Sequence, residues 1–145
     1  MTTTLQRRIA PLLRGALMTA VVLLTGCARG QYPVTGKVTY EDGSPVTGGA
    51  TVVFEGTIGD RLEMARGKIQ PDGSYQLGTL KPGDGAYAGT YQVRIIPPDP
   101  DADISDSRGP EFDKRYTQFE TSGLTYEVTS GRNEFPITIS KPSKK

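Results

Sequence analysis

Histidine and tryptophan are absent from this chain, and cysteine occurs once, as Cys27. The lack of histidine removes the usual general base near neutral pH and the commonest nitrogen ligand for metals. Ser-His-Asp catalysis, Cys-His catalysis and histidine-ligated zinc are therefore excluded. A lone cysteine forms no disulfide within its own chain. Charge of one sign is also missing in excess, since 17 Lys and Arg face 16 Asp and Glu. That balance gives no electrostatic pull toward nucleic acid. Long apolar runs are lacking too: Ala16–Leu24, broken by Thr19, falls well short of the ~20 residues that a membrane-spanning helix needs.

Glycine and proline, by contrast, are plentiful, at 18 and 11 residues. Each weakens or breaks a helix interior, so short strands joined by tight turns are expected. At 145 residues the chain is long enough for one domain with a real core and too short for two.

The lone cysteine stands in an informative place. Arg7, Arg8 and Arg14 make a basic start with no acid before residue 27, the apolar run follows, and small residues come next. This is the layout of an export signal peptide. Leu24-Thr25-Gly26-Cys27 resembles the lipobox of bacterial lipoproteins: an apolar residue, two small ones and the cysteine that is acylated. The resemblance implies a diacylglycerol thioether on Cys27 and cleavage before it. Membrane lipid would be the partner, the cell envelope the location, and Ala28 the default for the outer membrane. Ordinary secretory cleavage after Ala28 is the alternative reading. Loss of residues 1–26 removes three arginines and no acid, leaving 14 basic against 16 acidic residues and a formal charge of −2.

From Tyr32 the chain alternates. Val34, Gly36, Val38 and Tyr40 share one face of a strand, and Ala50, Val52 and Phe54 share one face of the next. Strands are further predicted over 62–69, 74–78, around Tyr91-Val93-Ile95, over 124–128 and at Phe135-Ile137-Ile139. Pro71-Asp72-Gly73 supplies turn chemistry for a hairpin between the third and fourth. Pro136 donates nothing to a ladder, which predicts an edge position for the last strand or a proline on its unpaired side. Seven short strands at about ten-residue spacing predict an antiparallel β-sandwich. The expected divisions are a signal peptide over 1–26, a lipidated cysteine with a short tether over 27–31, the sandwich over 32–140 and a basic tail over 141–145.

Tyr32-Pro33-Val34-Thr35-Gly36-Lys37-Val38, Pro71-Asp72-Gly73-Ser74-Tyr75, the stretch Lys81 to Val93 and Thr121 to Val128 resemble small planctomycete lipoproteins with a carboxypeptidase-regulatory-like domain. That resemblance implies a transthyretin-like, seven-stranded fold. The domain is named for a non-catalytic appendage of carboxypeptidases, so no peptidase site is implied here.

Three constellations invite chemistry. Asp99, Asp101, Asp103 and Asp106 offer alternating carboxylates, with Asp99, Asp101 and Asp103 as weak candidate calcium ligands. The loop departs from the EF-hand pattern, with Ile104 at the glycine position and Pro110 where the bidentate glutamate belongs; a solvated acidic loop is the plainer reading. Asp84 and Asp113 are a nominal carboxylate pair for glycoside hydrolysis, although nothing in their spacing joins them. Lys114 to Phe119 mixes cations and rings, suiting either a sugar-stacking surface or a lid in which Tyr116 and Phe119 close the core. Strict alternation of seven strands places Asp42, Asp72, the 97–121 segment and the Lys-rich tail at the end away from the lipid. The candidate partner surface is therefore Asp42, Asp72, Asp99, Asp101, Asp103, Asp106 and Tyr116, facing an envelope protein or polysaccharide. No cofactor, resident metal or catalytic residue is expected.

Overall fold

The computed structural model describes residues 30–47, 49–98 and 112–142. Cys27, Asp99, Asp101, Asp103 and Asp106 lie outside the described residues. The elements are β1 (Gln31–Tyr32), β2 (Val34–Tyr40), β3 (Thr51–Ile58), β4 (Arg61–Lys68), β5 (Ser74–Gln76), β6 (Ala86–Tyr87) and β7 (Gly89–Ile96). A 3₁₀ turn (Lys114–Thr117) and α1 (Phe119–Ser122) come next, followed by β8 (Leu124–Val128), β9 (Asn133–Glu134) and β10 (Ile137–Ile139). The fold is all-β, with most pairings antiparallel.

Two four-stranded sheets share one core, and β1 pairs with β6 in a third, two-stranded sheet. The first runs β4-β3-β7-β8 and is antiparallel throughout. The second runs β10-β2-β5, with β9 also on β2. Alternation dictates what faces inward: Val52, Phe54, Tyr91, Val93 and Ile95 from the first sheet meet Val34, Val38, Tyr75, Ile137 and Ile139 from the second. Phe54 anchors the contact, packing edge-on against Phe135 at 5.9 Å and Tyr126 at 6.0 Å.

Three expectations are corrected. The seven predicted strands are joined by three two-residue strands, β1, β6 and β9, so ten occur among the described residues. Pairing is not wholly antiparallel, because β9 and β10 run parallel to β2. Seven alternating strands leave the first and last pointing the same way, and the sheet sets those two side by side. Finally, Pro71-Asp72-Gly73 makes its turn, with Gln70 N–H donating to Ser74 O at 2.8 Å and Gly73 N–H to Gln70 O at 2.9 Å. It does not close a two-stranded ladder. β4 pairs with β3 and β5 with β2, so the turn is a corner between sheets, reinforced by the isolated Arg66–Gly78 bridge. Pro136 lies between β9 and β10, outside either ladder, and β10 is an edge strand.

Candidate functional site

The registers give the fold two distinct ends. Gln31 pairs with Tyr87, so the first described residues sit beside the Ile58–Arg61 connection and the start of β7. At the other end, the close of β2 meets the Asp72 corner, the start of β3, the end of β7 and the end of β10. Asp42, Asp72, Tyr116 and Lys141 all belong to that second end.

There the carboxylates hold local structure. Asp42 lies 2.7 Å from Lys141 Nζ, and it accepts from Ser44 N–H at 2.9 Å and from the Ser44 hydroxyl. Lys141, then Ser44, keep its carboxyl well below the ordinary range. Lys141 also sits over the Tyr40 ring, 5.0 Å from its centroid. Asp72 accepts from the hydroxyl and N–H of Ser74, which lower its pKa. Each aspartate thus closes its own turn on the polar residue two places on, ahead of Gly43 and Gly73, whose positive φ values of 79° and 83° the turns require.

Tyr116 is a lid. Its ring is buried in the core cluster, and its hydroxyl accepts from Arg115 Nη2 at 2.5 Å and lies 3.4 Å from Ser140 Oγ. Burial raises its pKa, but the hydrogen bonds from Ser140 and Arg115 outweigh burial and lower it. Asp113 caps the 3₁₀ turn through Arg115 N–H at 3.0 Å, while its own N–H donates to Ser140 O at 3.1 Å. Phe119 is only half-buried, with the Arg94 guanidinium 4.7 Å from its centroid.

The nominal carboxylate pair is not brought together. Asp84 sits in the 79–84 loop after β5, toward the first end, where it accepts from the N–H groups of Thr79 at 2.7 Å, Lys81 at 2.8 Å and Leu80 at 3.1 Å. Burial opposes its charge, yet these three donors hold its pKa below the usual value. Asp113 lies at the opposite end beside Ser140. Among the described residues, no group of three or more Cys, Asp or Glu is arranged to hold a metal ion, and no helix is long and apolar enough to cross a membrane.

Two concavities stand out among the described residues. The smaller, of about 350 Å³, lies at the first end between Tyr32, Tyr87, Arg61 and the half-buried Glu63. The larger, of about 910 Å³, is an open groove on the flank where β4 meets β5, with Lys37, Arg66, Lys68 and Lys81 on its walls and Glu134 as the one acid. Sequence reading missed this groove. Its cations come from β2, β4 and the 79–84 loop, segments brought together by the β2–β5 ladder and the Arg66–Gly78 bridge.

No family model matches the sequence, and comparison with curated proteins gives no match. Among solved structures, a 9R-lipoxygenase from Cyanothece PCC8801 aligns with 78% of this chain at 11% identity and a TM-score of 0.41; the chain spans 17% of that protein's length.

Proposed function

We propose that this chain is a non-catalytic, lipid-anchored module of the cell envelope with a binding or structural role. It carries the transthyretin-like sandwich that its resemblance implies and is held at the outer membrane by acylated Cys27. The observation that supports this is the placement of the two ends. Gly30 borders the pocket at one, and the Asp42–Lys141 and Tyr116–Ser140 contacts mark the other. Residues 28–31 span at most about 15 Å, so an anchor at Cys27 holds the first end against the lipid. Asp42 and Asp72 then face outward, toward an envelope protein or polysaccharide, while the Tyr116 ring, expected on that surface, is buried beneath it. The side chains there that carry shifted pKa values are engaged in turns and caps, which suits a scaffold better than a reactive centre. The alternative reading is a calcium-dependent or carbohydrate-binding adhesion module, with Asp99, Asp101 and Asp103 as the calcium ligands.

Two or more buried acyl chains, at about 0.8 kcal/mol per methylene, hold a protein stably on a bilayer. Metabolic labelling with radioactive palmitate tests the anchor. Wild type takes up label and stays with membranes through a high-salt wash, and Cys27→Ser does neither. No label in wild type, or equal label in Cys27→Ser, rejects the proposal.

A further inference from the structure

We propose that the flank groove between β4 and β5 binds an anionic polysaccharide through Lys37, Arg66, Lys68 and Lys81. The site lies apart from the outward end described above, and it requires no lipid anchor.

The charge pattern is the first argument. Four cations and a single acid line the groove, in a chain whose cationic and acidic side chains are otherwise balanced. All four cations are exposed. The ion pair among the described residues, Asp42–Lys141, lies elsewhere, and the Arg66 guanidinium meets only the Met64 sulfur, at 2.9 Å. Carboxylates beyond the groove wall include Asp72, beside Lys37, Asp84, beside Lys81, and Glu55, diagonal to Arg66 in the β3–β4 register. Asp72 is engaged with Ser74, and Asp84 with three backbone N–H groups. A concave wall carrying charge of one sign concentrates counter-ions at its surface.

The layout selects the class of anion. Arg66 and Lys68 project from the same face of β4, about 7 Å apart along the strand. Lys37 comes from the other sheet and Lys81 from the loop, so the charges are spread out instead of converging on one point. That spread matches repeated charges along a polymer better than one small ion. Between the cations stand Thr35, Ser74, Gln76 and Thr79; the last three donate to Asp72, Gly83 O and Gly85 O, which leaves their oxygens as acceptors for sugar hydroxyls.

An acidic peptide fits less well. The edge of β4 that a peptide strand would extend is interrupted at Arg66, whose N–H and carbonyl pair with Gly78 O and N–H, both at 2.9 Å, just past the end of β5. Gly67 permits that closeness, since a Cβ there would lie 2.6 Å from the Gln76 carbonyl oxygen.

Calorimetric titration of the full chain in neutral detergent, with EDTA present, tests the site. The probes are polygalacturonate, dextran sulfate, neutral dextran and inorganic phosphate. Binding of either charged polymer and not of dextran is expected. It should weaken as salt rises from about 0.05 to about 0.5 M, which shortens the screening length roughly threefold. Arg66→Gln with Lys81→Gln should weaken binding about tenfold or more, as should Lys37→Gln with Lys68→Gln, with circular dichroism unchanged. Lys114→Gln, at the outward end, should bind like wild type. The proposal is overturned if neither charged polymer binds, if dextran binds equally, if phosphate competes as well as polymer, or if Lys114→Gln costs as much as either groove pair. Groove binding and Cys27 acylation are read separately, so failure of one leaves the other standing.

Discussion

The Tyr75 hydroxyl donates to the carbonyl oxygen of Phe135 at 2.7 Å, reaching across the bare backbone of Gly36. Gly36 lies in the middle strand of its sheet, opposite Tyr75 on β5, while Phe135 follows β9 on the other side. A Cβ on Gly36 would collide with the Phe135 carbonyl oxygen and lie 2.7 Å from the Tyr75 ring. The glycine is therefore a saddle that lets one side chain tie three strands together.

Two substitutions read this tie. Tyr75→Phe leaves a part-buried carbonyl without its donor and should cost about 1–2 kcal/mol in urea denaturation. Gly36→Ala should cost at least as much, about 1–3 kcal/mol or more, because the ring and the strand must both shift. If Gly36→Ala is neutral, the ring does not cross the strand as described.

Alkaline pH provides a second test. Burial raises the pKa of Tyr75 far above its ordinary value, and burial, then nearby Glu63, push Tyr91 up to about 12. The unfolded chain releases these protons near pH 10, while the folded chain retains them. Stability is therefore full below about pH 10 and falls as pH rises toward 12. Melting temperatures followed across that window should decline, and Tyr91→Phe should make the decline shallower. An unchanged slope in Tyr91→Phe would remove Tyr91 from the account.

Asn133 supports a third prediction. Its buried amide nitrogen donates to Thr129 O at 2.9 Å and Gly131 O at 3.1 Å, and its oxygen accepts from Thr129 N–H at 2.9 Å. Asn133→Ala should cost about 2–3 kcal/mol, since it orphans several polar groups at once. Asn133→Asp should be at least as damaging at neutral pH, because an ionised carboxylate faces carbonyls and donates nothing. Partial recovery is expected in acid, where protonation restores one donor. Urea titrations at two pH values decide it.

Much of the fold was legible because its determinants are local. Val34 and Val38 alternate along β2, as do Tyr91, Val93 and Ile95 along β7, and a period of two has few other uses. The Asp42 and Asp72 turns were legible for the same reason, since aspartate followed by glycine carries its own geometry. Two-residue strands such as β1 and β6 show no period at all. Val53 is fully buried although it pairs with Arg66 and Arg94 on the outer face of its sheet, a consequence of long neighbouring side chains that alternation alone does not register. The basic groove escaped notice because Lys37 and Arg66 are distant in sequence.

The Asp42–Lys141 contact yields a fourth prediction. The folded protein holds the Asp42 carboxyl below its ordinary pKa, so the contribution is present above the usual carboxylate range and fades as pH falls. Lys141→Ala should move the Asp42 midpoint back toward the ordinary range in a carboxyl NMR titration, with Ser44 still holding it partly down. Both groups are exposed, so the melting temperature should hardly change. An Asp42 midpoint that stays put would assign its whole shift to the turn.

The placement of β9 and β10 on β2 has an outcome in time. Residues 34–40 gain one complete flank only from residues 133–139, almost a hundred positions later. The opening strand stays half-partnered until residues 133–139 reach it. Closure of that layer therefore joins segments about a hundred positions apart, and the entropy of that long loop must be spent before its pairing is gained.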